Sequence, residues 1–130
     1  MPAIPCPCSP RQSLASCCGR YHAGEKAPTA VMLMRSRYSA FALGLTDYIR
    51  DTTHPAQQDA LDMEEIAAWS KSSRWLGLEI HQHGPLKTQP PQHFVEFTAH
   101  WQDAKGHLHQ HHERSLFVRI KGRWYFIQPG

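Results

Sequence analysis

Outside residues 6–18 this 130-residue sequence contains no cysteine. It also has no long apolar run. The longest, AVMLM at 30–34, falls far short of the roughly 20 residues that span a bilayer, so no membrane association is expected. Like charges form no block: 14 Lys and Arg are interspersed with 11 Asp and Glu, for a net charge of +3. That balance favours solubility and argues against nucleic acid, where basic residues would have to share a face with stacking aromatics; Arg119 alone does not provide this. The opening MPAIPCPC has neither a basic region nor an apolar core, so no secretory signal and a cytoplasmic location are expected. No internal repeat is present, and no Ser-His-Asp or Cys-His arrangement marks a nucleophilic enzyme. Disorder is excluded, because a 41% hydrophobic share with four Trp, four Tyr and five Phe is enough for one core.

All four cysteines lie in CPCSPRQSLASCCG, at positions 6, 8, 17 and 18. A cytosolic protein keeps its thiols reduced, so such a cluster points to metal rather than to disulfides. Zinc takes four thiolates in a tetrahedron, and a short intervening loop lets the Cys6/Cys8 and Cys17/Cys18 pairs converge on one ion. Adjacent residues both ligate only through a tight turn. His22, four residues after Cys18, is therefore the alternative fourth ligand, although Cys18 is preferred.

C-x-C, eight residues, C-C and then Gly19 resembles the SEC-C motif, the zinc-binding tail of the SecA preprotein translocase. The resemblance implies that Cys6, Cys8, Cys17 and Cys18 bind zinc and that the knuckle contacts a protein partner of the export or chaperone machinery. One departure is visible: Ser9-Pro10-Arg11 stands where the family has Gly-Ser-Gly.

Beyond the linker GEKAPT, Thr29 is a suitable N-cap for a helix with Val31, Met34, Tyr38, Phe41 and Leu45 on one stripe, closed by Gly44. Thr46 is expected to cap a short helix that stops before His54-Pro55, and Asp62 with Glu65 to start a third. Four strands follow. In WLGLEIHQH, Leu76, Leu78 and Ile80 are expected on one side. In the middle hairpin, a three-residue Ala104-Lys105-Gly106 loop pairs Trp101 with His109, Ala99 with His111, Phe97 with Glu113 and Val95 with Ser115.

CCGRYHAG, LMRSRYSAF, THP, HERSLFVR and GRWYFI together resemble the YchJ family of bacterial proteins, a SEC-C motif joined to a nuclear-transport-factor-two-like domain. The reading is therefore α+β: a zinc knuckle over 1–26, then, over 27–130, a curved antiparallel sheet packed on about three helices around a cone-shaped cavity. Arg35, Arg37, Tyr38 and His54 from the helices and His111, Glu113 and Ser115 from the sheet are candidates for its polar lining, with an ion pair from Glu113 to Arg35 or Arg37 tying helix to sheet. A second metal site would need His107, His109 and His111 on one face with His100 approaching from the next strand.

Two functions follow. One is a protein-interaction module working through the zinc knuckle, with Arg11, Arg20 and Lys26 placed to meet an acidic surface and a homodimer open to the sheet's free face. The other is a small-molecule-binding protein or enzyme using the cavity.

Overall fold

The computed structural model describes residues 4–128. It begins with a loop closed by two short strands, β1 (Pro5–Cys6) and β2 (Ser9–Ser13), a 3-10 turn (Leu14–Ser16) and a short helix, α1 (Cys18–His22). Ser13 Oγ caps the turn by accepting from the Ser16 amide at 3.3 Å. Gly19 is required here, because a Cβ on it would lie 2.7 Å from the Leu14 carbonyl oxygen.

Helix α2 (Ala30–Leu43) starts where Thr29 Oγ1 accepts from the Met32 amide at 3.1 Å and ends at Gly44 in the left-handed conformation, φ 76°. Helix α3 (Thr46–Asp51) corrects one expectation: Leu45 occupies the N-cap and no side chain caps it. A 3-10 turn (Pro55–Ala60) leads to α4 (Met63–Ser72), where Asp62 Oδ1 accepts from the Glu65 amide at 3.0 Å. Among the described residues no helix is long and apolar enough to cross a membrane.

The remaining strands, β3 (Arg74–Leu86), β4 (Gln92–Gln102), β5 (Leu108–Ile120) and β6 (Arg123–Ile127), form one antiparallel sheet in that order. The middle hairpin has the expected register, Trp101 opposite His109 and Phe97 opposite Glu113. Its turn is built by Gly106 at φ 86° and by Asp103 Oδ1, which accepts from the Lys105 and His107 amides at 2.9 Å each. Val95, Phe97, Ala99 and Phe117 are buried on the inner face.

Strand β3 departs from simple alternation. Its pairing shifts between Trp75 and Gly77, so Trp75, Leu78 and Ile80 share the core face, and Leu76, expected there, is 48% exposed. An extra residue in one strand rotates every earlier side chain to the other face.

Helix α2 lies between the cysteine loop and the sheet. Its Met34–Tyr38–Phe41 stripe faces inward, yet Ser36, Ser39 and Ala40 are also fully buried, under the cysteine loop and α3. The Thr52–His54 segment runs beside β6: the Phe126 amide donates to Thr52 O at 2.8 Å and the His54 amide to Phe126 O at 2.7 Å.

Candidate functional site

The cysteine loop folds back at Pro7–Cys8, between β1 and β2, and α1 opens with Cys18. All four cysteine side chains thereby meet. Cys8 Sγ is 3.6 Å from Cys6 Sγ, 3.6 Å from Cys17 Sγ and 3.5 Å from Cys18 Sγ, and Cys17 and Cys18 are 4.0 Å apart. Every pair lies within 4.8 Å. A disulfide would need about 2.05 Å, so these are free thiols. Metal–sulfur bonds of about 2.3 Å in a tetrahedron put the sulfurs about 3.8 Å apart. The donor set therefore fits a thiolate-bound metal ion.

Without a cation the four thiols do not ionise together. The Cys18 S–H donates to Cys8, whose thiol is pulled down to about 5. Cys17 is pushed up to about 11 by burial, and Cys18 is pushed up by donating to Cys8 and by burial. A bound metal is what would turn the remaining thiols into thiolates.

The sulfurs are also held from outside the loop. Ser39 Oγ on α2 donates to Cys18 Sγ at 3.2 Å and lies 3.5 Å from Cys6 Sγ. Sequence reasoning missed Ser39, because a small polar residue off the apolar stripe reads as solvent-facing. His22 does not join the cluster: its Nε2 lies 2.8 Å from the Ser36 carbonyl oxygen and its ring meets Tyr48 edge-on at 4.8 Å. Arg35, a candidate for the cavity, instead lines a groove with Cys8, Gln12, Cys17 and Arg20, and its charge helps to lower the Cys8 thiol. Residues two apart on a helix point about 200° apart, so Arg35 and Arg37 serve opposite faces.

The opposite face of α2 closes a cavity of about 250 Å³ against α4 and the sheet. Arg37, Tyr38, His111, Glu113 and Ser115 are on its wall. Arg37 is buried and its Nη1 donates to Ile49 O (2.9 Å), Thr52 Oγ1 (2.7 Å) and Thr53 Oγ1 (3.4 Å). Its guanidinium lies 4.5 Å from the Phe126 ring centre, and burial draws its pKa down to about 10. No ion pair links it to Glu113 among the described residues; Glu113 instead accepts from Ser115 Oγ and lies 3.2 Å from His111 Nε2. His54 is absent from the wall. The chain is extended before Pro55, which turns the imidazole outward to cap the 3-10 turn: Nδ1 accepts from the Ala56 amide at 3.0 Å.

The histidine strand does not assemble the second metal site. His109 stacks on Trp101 at 4.3 Å and is tied to Asp103 Oδ2 at 2.9 Å, which with the turn amides holds that carboxyl down to about 2. His100 pairs opposite Gln110 and so lies on the other face, bound to Glu79. Among the described residues only the four cysteines form a cluster that could hold a metal ion.

Comparison with known proteins agrees with this architecture. The family model described as "YchJ, middle NTF2-like domain" matches residues 29–129. A crystal structure of a SEC-C motif containing protein from Psychrobacter arcticus superposes with a TM-score of 0.84 at 39% identity, over 99% of this chain and 82% of that one. The solution structure of a SEC-C motif containing protein from Rhodopseudomonas palustris gives 0.84 at 35% identity, over 96% of each chain.

Proposed function

The chain belongs to the YchJ family, and from that premise we propose that it is a cytosolic zinc protein whose cysteine knuckle docks a partner protein. The observation that carries the reading is the buried cluster of four sulfurs, all within 4.8 Å of one another and four of their six separations 3.5–4.0 Å, which suits zinc. Four thiolates around one divalent zinc carry a net charge of about −2, which the neighbouring Arg35 offsets in part. Around this stapled loop Arg11, Arg20 and Lys26 are exposed, and Arg20 and Arg35 flank a groove that also holds Ser9 and Gln12. Such a rim suits an acidic segment, and the SEC-C resemblance suggests the export and chaperone machinery as its source.

Native mass spectrometry tests the metal. One zinc per chain is expected, lost in a Cys6→Ser, Cys17→Ser double variant; an intact chain purified without zinc would sink the reading. Docking is tested by cross-linking in cells. The same acidic partner should disappear with the cysteine variant and with Arg20→Glu, Arg35→Glu. A partner that survives both would remove the knuckle from the interaction.

A further inference from the structure

We propose that the cavity between α2, α4 and the sheet binds a small, flat aromatic molecule of zero net charge that bears an amide-type edge, a carbonyl acceptor beside an N–H donor. This assignment is independent of the metal and of any docking partner.

The cavity wall keeps hydrogen-bonding capacity that the protein does not use. Arg37 is 7% exposed, and only its Nη1 has protein acceptors among the described residues. Those three acceptors are a carbonyl and two hydroxyls, none of them charged. The guanidinium thus keeps its charge and further N–H groups for something else in the cavity it lines. Tyr38 is 3% exposed: its ring is part of the wall, while its hydroxyl is enclosed by protein beside the Gly77 backbone. Burial pushes that phenol up to about 12, so it adds no charge to the cavity. A buried donor left unpaired costs about 1–3 kcal/mol, so the spare N–H groups of Arg37 favour an acceptor in the cavity.

Across the space, Glu113 supplies the opposite charge. Each carboxylate oxygen carries one protein contact, from Ser115 or His111, and retains a free lone pair. Arg37 and Glu113 sense each other electrostatically without forming an ion pair. A ligand that bridges them meets a donor on one side and an acceptor on the other. A carboxylate would suit Arg37 but face Glu113, and an amidinium would suit Glu113 but face Arg37. An amide or lactam edge satisfies both at no cost in net charge. Phe41, Trp69, Trp75 and Phe97 supply the flat apolar walls, with Trp69 and Trp75 edge-to-face at 5.3 Å. A volume of about 250 Å³ limits the occupant to one or two rings.

Benzoate, benzamide and benzamidine share a shape and differ in charge, so they read the cavity directly. Each is titrated into the full chain while the indole N–H resonances of Trp69 and Trp75 are followed; Trp124, off this cavity, is the control. Fragments of this size bind with Kd of roughly 1 mM. Benzamide is expected to bind tightest, by about tenfold over either ion. Glu113→Gln, near the half-exposed His111, should raise benzoate affinity about tenfold and leave benzamide within a factor of about three. Benzoate or benzamidine binding tightest in the wild type would overturn the assignment, as would no movement of Trp69 and Trp75 with any of the three.

Discussion

The two faces of α2 carry the two polar constellations of this protein, and they are built on opposite principles. On one face, four sulfurs within 4.8 Å saturate one another and Ser39. The metal they could hold would be enclosed, without an open coordination position. On the other face, Arg37 and Glu113 line empty space, and part of their bonding capacity stays unused. A closed site of the first kind serves folding and shape, whereas an open one serves a visitor. One helix supports both because residues two apart, Arg35 and Arg37 or Tyr38 and Ala40, face away from each other.

The largest expected effect comes from removing the metal proposed for the four cysteines. In small zinc domains it supplies roughly 10–16 kcal/mol of apparent folding free energy. Chelation should therefore abolish amide-exchange protection over residues 4–26 while β4 and β5 keep theirs. Equal loss in both regions would show that the two faces form one cooperative unit. Next comes Phe117→Ala, at the fully buried centre of the sheet face. It should cost about 3–5 kcal/mol in denaturant titration, without changing metal content in the folded fraction.

Ser39→Ala sits between the two regions. Loss of its bond to Cys18 is expected to lower metal affinity by about 10–100-fold in chelator competition, with a stability loss of about 1–3 kcal/mol. Unchanged affinity would make Ser39 a packing residue only. The smallest effect lies away from both faces, at Asp103. Its carboxyl titrates at about 2 in the folded chain against an ordinary 3.8, so its contribution is present above about pH 4 and disappears as pH falls towards 2. Asp103→Asn should lower the thermal midpoint slightly at neutral pH and flatten its slope across that window.

Much of this architecture was legible because it is local. The four cysteines announce a ligand set by spacing alone, since ten residues cannot carry the two pairs far apart. The hairpin register follows from one three-residue turn with Gly106 at positive φ, and Thr29, Gly44 and Asp62 mark helix ends by bonds to their own neighbours. The cavity's sheet wall followed from that register, which brings Glu113 and Ser115 among apolar residues.

What remained hidden depends on which element covers which face. Ser39 looks solvent-facing until the cysteine loop lies over it. Leu76 looks like core until an extra residue in β3 turns it outward. His54 and Arg35 are polar residues near apolar ones in the sequence, and only the packing assigns the first to a cap and the second to the groove beside the sulfurs. The sequence by itself determined the cysteine cluster, the caps of α2 and α4 and the hairpin pairing, through contacts made within a few residues. Tertiary structure alone decided how the two faces of α2 were used. Burial of a polar side chain depends on distant segments arriving with a matching donor or acceptor, and no short-range pattern encodes that arrival.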